Sequence, residues 1–397
     1  MNNKVRNSIL TILCGAMIAA AGSFATSVTY PVTVDGYQFR AGLYILQQQQ
    51  ALSEATAKLT SDQPDLDTSA ENFSYLDQTL DGKKFADWVN DKALEICRSQ
   101  TAVNRLFDQY GLSLTAEEIK SIDSEANRLW TEEDMYAQYF YGVDVVGKYY
   151  EKFGVGEQSF KDEEIIEKKR EKLFDHLYGA GGEKAASDDE ISATLSSDYI
   201  AVNYFLYELE EGESAQSYAD RIAGGESYEE VYKSYNEEVA KIRAAERAAE
   251  DAAASAEDDS EDVEDVTEDN TVEIGGQTFD TTVELAEKDS LIQIIKTSTN
   301  LPSEEFVKQV TGFNNGDVKV ITETIGEGDD AKERTYIVQK LDILSVPAAK
   351  TDPARDSIRE NLKKPEFEEL LRTTGEGYTL TKDGSISLYT VNKLLGK

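Results

Sequence analysis

Residues 199–207, Tyr199-Ile200-Ala201-Val202-Asn203-Tyr204-Phe205-Leu206-Tyr207, divide the chain into two kinds of sequence. Upstream of them apolar residues recur three and four positions apart. Within them Ile200, Val202, Tyr204 and Leu206 alternate with Ala201, Asn203, Phe205 and Tyr207. Spacing near 3.6 is the mark of an amphipathic helix, and spacing of 2 that of a strand. Both alternating sets are largely apolar, so the strand is expected to be covered in part on both faces. An α+β fold follows, with a helical first half and a mixed second half.

Working back from Tyr199, Ser187 and Glu190 have the spacing of a capping box and start a short helix. A helix is expected from about Glu157 to Tyr178, closed by Gly179 to Gly182. Thr115 and Glu118 form a second capping pair, and Ile119, Ile122, Ala126, Leu129 and Trp130 give the stripe that follows. Phe85, Trp88, Val89, Leu94, Val103, Leu106, Phe107 and Tyr110 predict the longest stripe, which ends at Gly111. A further helix is expected from about Ala41, and its Gln47 to Gln50 run reads as a solvated face. Thr26 to Arg40 reads as an extended lead-in, turning at Asp35-Gly36.

Working forward, a helix is expected around Ala215 to Ala223, and Ser227 starts a capped helix after Gly224-Gly225. From about residue 244 to 270 there is almost nothing to bury, which predicts an exposed helix tip and a disordered acidic insert. Structure resumes near Val272 to Phe279, and Pro302 to Val310 suits a short helix. Val318 to Ile325 and Thr335 to Ile343 read as a hairpin. A helix around Arg355 to Leu371 and a small sheet-like tail (Tyr378 to Leu380, Ile386 to Tyr389) end the chain.

Lys4 and Arg6 precede an apolar stretch from Ile9 to Ala21, and Ser23-Phe24-Ala25 offers the small residues of a signal-peptidase site. Export with cleavage after Ala25 is the expectation, and an uncleaved anchor is the alternative. In the anchored case this segment would be the only membrane contact. Leu13 before Cys14 argues against a lipid-modified cysteine, which needs a small residue there. Removing residues 1–25 would take away two of the 40 basic residues and none of the 77 acidic ones, moving the formal charge from −37 to −39. Such a surface repels phosphate backbones, so nucleic acid is excluded as a partner, while loose, weak cation binding is expected. Cys97 alone would remain, which leaves no internal disulfide and no cysteine metal site.

Other chemistries lack their residues. His176 is the only histidine and stands far from any notable serine or cysteine, so it reads as a helix residue rather than part of a triad. No phosphate loop, dinucleotide fingerprint or zinc motif is present, and no cofactor is expected. The acidic runs lack the spaced ligands and turn of a calcium loop. What remains is aromatic surface. Tyr136, Tyr139, Phe140, Tyr149 and Tyr150 form a candidate groove, because tyrosine combines apolar area with a polar tip and suits loose binding of unfolded segments.

Three segments resemble the PrsA/SurA family of extracytoplasmic foldases. Tyr204-Phe205-Leu206-Tyr207 is similar to the first strand of a parvulin-type peptidyl-prolyl isomerase. Tyr218 to Tyr228 resembles the following helix, and Phe306 to Val320 resembles the approach to the last hairpin, with Tyr336-Ile337-Val338 like its closing strand. The resemblance implies a signal peptide (1–25), a helical chaperone domain (26–195, completed by 354–397) and an inserted parvulin-like α/β domain (196–353). It implies a proline or peptide pocket of Tyr204, Leu206, Phe306, Phe313 and Tyr336. Tyr204 and Tyr336 stand where parvulins carry histidines, so isomerase activity is expected to be weak or lost. Binding of unfolded exported polypeptides outside the cytosol is the expected function. A cell-envelope scaffold or adhesion module holding one folded partner is the alternative.

Overall fold

A computed structural model describes residues 23–70, 72–209, 212–255, 271–274, 277–280, 283–326 and 331–395. Two compact units divide the chain, one running to Ala185 and resuming at Lys363, the other spanning Ala186–Leu362.

The first unit is built on three long helices, α2 (Ala41–Asp62), α3 (Phe85–Gln109) and α7 (Glu157–Tyr178). Their apolar stripes meet: Leu43, Ile45, Leu52 and Leu59 from α2, Phe85, Val89, Val103 and Phe107 from α3, and Ile166, Leu173 and Leu177 from α7 share one core. Each such side chain contributes roughly 1.5–3 kcal/mol when fully buried. Phe367 and Leu371, in the C-terminal half of α12 (Ala348–Glu376), join the same core. Strand β1 (Val32–Val34) pairs with β2 (Tyr37–Phe39) across the Asp35-Gly36 turn and with β11 (Leu380–Lys382), which ties the beginning of the described chain to its end. Helix α4 (Ala116–Thr131) starts in the expected capping box. The Glu118 N–H donates to Thr115 Oγ1 at 3.1 Å and the Thr115 N–H to Glu118 Oε2 at 2.7 Å. The two-residue strands β3 (Thr79–Leu80) and β4 (Lys83–Lys84) pair just ahead of α3, and short helices α5 (Met135–Tyr141) and α6 (Val146–Glu151) lie between α4 and α7.

The second unit opens with α8 (Asp188–Asp198), capped by Ser187 and Glu190, and runs straight into β5 (Tyr199–Tyr207). Four antiparallel strands follow the order β8–β5–β10–β9, with β8 Gln293–Lys296, β9 Val318–Ile325 and β10 Lys332–Leu341. Both faces of β5 are covered, as its alternation required. On one face Ile200, Val202, Ile321, Tyr336 and Val338 pack with Phe306, Val307 and Val310 of α11 (Glu304–Thr311). On the other, Phe205 and Ile337 pack against α9 (Ala215–Ala223) and the start of α10 (Tyr228–Ser255) through Tyr218, Ile222, Tyr228, Val231 and Tyr235. A two-stranded hairpin, β6 (Thr271–Ile274) and β7 (Gln277–Asp280), precedes β8.

Several expectations need correction. Residues 23–28 form helix α1 (Ser23–Val28) and not part of an extended lead-in, with Thr26 buried. Gln47 and Gln48 are fully buried rather than solvated, because α3, α7 and the C-terminal segment cover that side of α2 and supply polar partners. The tail forms one strand, β11, and a 3-10 turn over Gly384–Leu388. Helix α10 continues through Ser255; the expectations for residues 256–270 and for the segment before Ser23 lie outside the described residues.

Candidate functional site

Two aromatic assemblies contain the residues singled out from sequence, one in each unit. In the second unit, register places Tyr204 opposite Val338 and Leu206 opposite Tyr336, so Tyr204 and Tyr336 are diagonal neighbours on one sheet face. Their ring centroids lie 6.1 Å apart, and each meets Phe306 edge-on or tilted, at 5.0 and 5.1 Å. Phe306 reaches them because Ser303 caps α11, accepting the Phe306 N–H at 2.9 Å and aiming the first turn at the sheet. Phe306 and Tyr336 are buried, whereas Tyr204, Leu206 and Phe313 are half-buried. The Lys319 ammonium sits 4.3 Å over the Phe313 ring, a cation–π contact at the margin of the assembly.

Polar groups flank this aromatic floor. Ser303 Oγ donates to Glu323, whose buried carboxylate stands on the Tyr336 side of β9. Burial raises the phenol pKa of Tyr204 and of Tyr336, and the Glu323 carboxylate adds to the rise at Tyr336. Both phenols therefore stay neutral hydrogen-bond donors at neutral pH. The arrangement can hold an apolar ring and donate to a carbonyl, but it contains no imidazole. His176 belongs to the first unit, exposed on α7 with its ring 5.2 Å from that of Tyr110.

In the first unit the candidate groove residues separate into two sets. Helix α5 is held by its ends: Asp134 accepts the Ala137 N–H at 2.9 Å, and Gly142 closes it in the left-handed region at φ 63°. Ala137 turns inward, and Tyr141 is half-buried against Tyr149. Tyr136, Tyr139 and Phe140, at helical spacings of three and four, make an outward stripe, with Tyr136 76% and Tyr139 83% exposed. Phe140 stacks with Tyr136 at 6.3 Å and meets Tyr139 edge-on at 4.9 Å. Met135, which the sequence reading did not single out, extends the ledge and is also almost fully exposed. Tyr149 and Tyr150 instead lie half-buried on α6, Tyr149 against Tyr141 and Phe153 and Tyr150 against Trp130 and Phe160. Gly147 lets α6 approach the Trp130 ring, where an added Cβ would come within 2.6 Å.

A third feature was missed from sequence. A cleft of about 710 Å³ opens among α2, α3, α7 and the C-terminal half of α12, lined mostly by charged and amide side chains. On its wall Glu163 is half-buried and receives Gln47 Nε2 at 2.6 Å and Gln100 Nε2 at 3.0 Å. Burial pushes its carboxyl up to about 7 against the lowering effect of both amides, and the neighbouring Glu167 and Glu164 add to the rise. The sequence signal was the glutamine run on α2, legible only once α7 was known to cover it. Among the described residues no three acidic, histidine or cysteine side chains are grouped to hold a metal, and no helix is long and apolar enough to cross a membrane.

No protein-family model matches the chain, and no curated protein matches its sequence. Solved structures do align with it. PrsA from Bacillus subtilis is 10% identical, covering 78% of this chain and 96% of its own, with a TM-score of 0.29. The foldase protein PrsA from Streptococcus pneumoniae strain Canada MDR_19A is 11% identical over 80% of this chain and 98% of its own, TM-score 0.31. The foldase protein PrsA from Lactococcus lactis is 11% identical over 91% and 98%, TM-score 0.33. Superpositions this loose carry neither fold nor function across, and the geometry of the chain itself bears the argument.

Proposed function

We propose that the protein is an extracytoplasmic chaperone that binds unfolded exported polypeptides, with a parvulin-like second unit whose isomerase activity is weak or lost. The ledge on α5 carries this reading. Three aromatic side chains and a methionine stand exposed together on a helix capped at both ends, at a cost in solvation that folding alone does not require. Apolar rings with polar tips fit many sequences loosely, which suits clients without fixed structure. The basic residues Lys4 and Arg6 ahead of the apolar stretch Ile9 to Ala21 support export.

Tyr204, Leu206, Phe306, Phe313 and Tyr336 are the proposed peptide or proline seat. Isomerisation requires a site that favours the twisted amide over the planar one, against an uncatalysed barrier of about 18–20 kcal/mol. Here Phe306 and Tyr336 already fill the floor by packing on each other, and phenols occupy both positions where the family resemblance implies histidine. Exchange of cis and trans Xaa-Pro peptides, followed by NMR with the purified protein, is expected to show no acceleration. Acceleration that Tyr204→Phe or Tyr336→Phe abolishes would overturn the loss of activity. In parallel, the protein should suppress aggregation of several unrelated unfolded proteins. Failure with all of them, alongside tight binding of one folded envelope protein, would favour the scaffold alternative.

A further inference from the structure

The cleft of the first unit has an unbalanced set of polar groups. Its cations are already engaged: Lys92 with Glu54 at 3.4 Å and Glu95 at 3.3 Å, Arg170 with Glu368, and Arg372 with Glu369 at 2.6 Å, while Lys364, the fourth, is not free either. Glu163 and Glu167, one turn apart on α7, face the same cleft, and no cation is bonded to Glu163, whose partners are two glutamine amides. Both amides turn their NH₂ groups to that carboxylate. Gln100, 1% exposed and lining the cleft, is left with an Oε1 that no donor reaches, and the fully buried Gln47 is left the same way.

Each unmet amide oxygen is therefore an acceptor, and Glu163, once ionised, adds a negative charge that the two glutamine amides do not neutralise. Buried acceptors without donors are costly, and a buried carboxylate without a counter-charge more so. A water molecule could donate but would bring no charge. A metal ion finds no group of three suitable ligands among the described residues. A guanidinium brings a positive charge that does not titrate and five N–H donors in one plane, enough to serve a carboxylate and amide oxygens together.

We propose that this cleft receives the guanidinium of an arginine side chain from a bound polypeptide, with Glu163 as its counter-charge and Gln100, after its amide turns, as a second acceptor. This names a feature of the clients and rests on the chaperone reading. It also gives a strongly acidic protein a sequence preference beyond the apolar contacts of the ledge.

The test titrates the full-length protein with an eight-residue alanine–serine peptide carrying one central arginine, and with its twin carrying neutral, isosteric citrulline. The arginine peptide should bind at least tenfold more tightly. Glu163→Gln, which keeps the shape and removes the charge, should bring the two peptides together, and Glu167→Gln on the exposed turn should weaken the arginine peptide several-fold. Equal binding of the twins by the unaltered protein, or no binding of either, would overturn the proposal. So would free argininamide binding as tightly as the peptide, which would make the cleft a small-molecule site. Aggregation suppression measured on the same samples separates the two readings. Suppression without arginine preference removes the cleft and leaves the chaperone, whereas arginine preference without suppression does the reverse.

Discussion

The two aromatic assemblies use the same residue types and meet opposite fates. On the sheet, Tyr204, Tyr336 and Phe306 come from three elements distant in sequence and close over one another, with Phe306 wholly withdrawn from water. On α5, Tyr136, Tyr139 and Phe140 come from one helix of seven residues and find only each other. Aromatic residues on a strand between two covered faces are buried by the sheet's other strands and helices. Those on a short, well-capped helix are buried only if something outside arrives. Aromatic content alone therefore does not mark a binding surface; a lack of covering elements does.

The sharpest way to break this comparison is to truncate one ring in each assembly. Phe306→Ala should destabilise the second unit by about 3–5 kcal/mol, the usual cost of removing a buried ring. The loss should appear as faster hydrogen exchange of the β5 and β10 amides. If their protection were unchanged, the sheet-face assembly would not be the core described here.

Burial of charge gives the next largest effect. Glu163 has an ordinary value of 4.5 and a folded value of about 7, so the native state retains its proton where the unfolded state has lost it. Between those values stability falls as pH rises, by up to about 3 kcal/mol, and this group contributes no slope below 4.5 or above 7. Thermal unfolding between pH 5 and 8 should show the first unit losing stability, with Glu163→Gln flattening that part of the profile. The phenols of Tyr204 and Tyr336, both raised, should add no slope in that range. An unaltered profile in the variant would place the titration elsewhere.

The smallest stability effect belongs to the ledge. Replacing Tyr136, Tyr139 and Phe140 together with serine should change stability by only about 0.5 kcal/mol per exposed site. Suppression of client aggregation should nevertheless fall several-fold. If suppression survives while the melting temperature drops sharply, the ledge is structural and the contrast between the two assemblies disappears.

Much of the molecule was legible before its tertiary structure. Helix α7 was expected over Glu157–Tyr178 and α9 over Ala215–Ala223, and both occupy those residues. The capping pairs Thr115/Glu118 and Ser187/Glu190 are both realised. The β9–β10 hairpin lies within two or three residues of its expected limits. Strand β8 was not expected: Gln293–Lys296 is four residues long, too short for its alternation to register, and is held by pairing with β5 nearly a hundred positions earlier. Of the candidate groove, the sequence brought together residues that the structure divides into an exposed ledge and a half-buried wall.

By itself the sequence determined the α+β class, the change at Tyr199, the limits of α7 and α9 and the surplus of negative charge, because period, capping and charge are properties of neighbouring residues. Only the tertiary structure decided that Gln47 and Gln48 are buried, that Glu163 lies between two glutamines, and that the face of α5 carrying Tyr136, Tyr139 and Phe140 is left uncovered. A hydrophilic stripe on a helix is solvated unless another element supplies it with hydrogen bonds. Whether one does depends on contacts more than a hundred residues apart, which no local pattern contains.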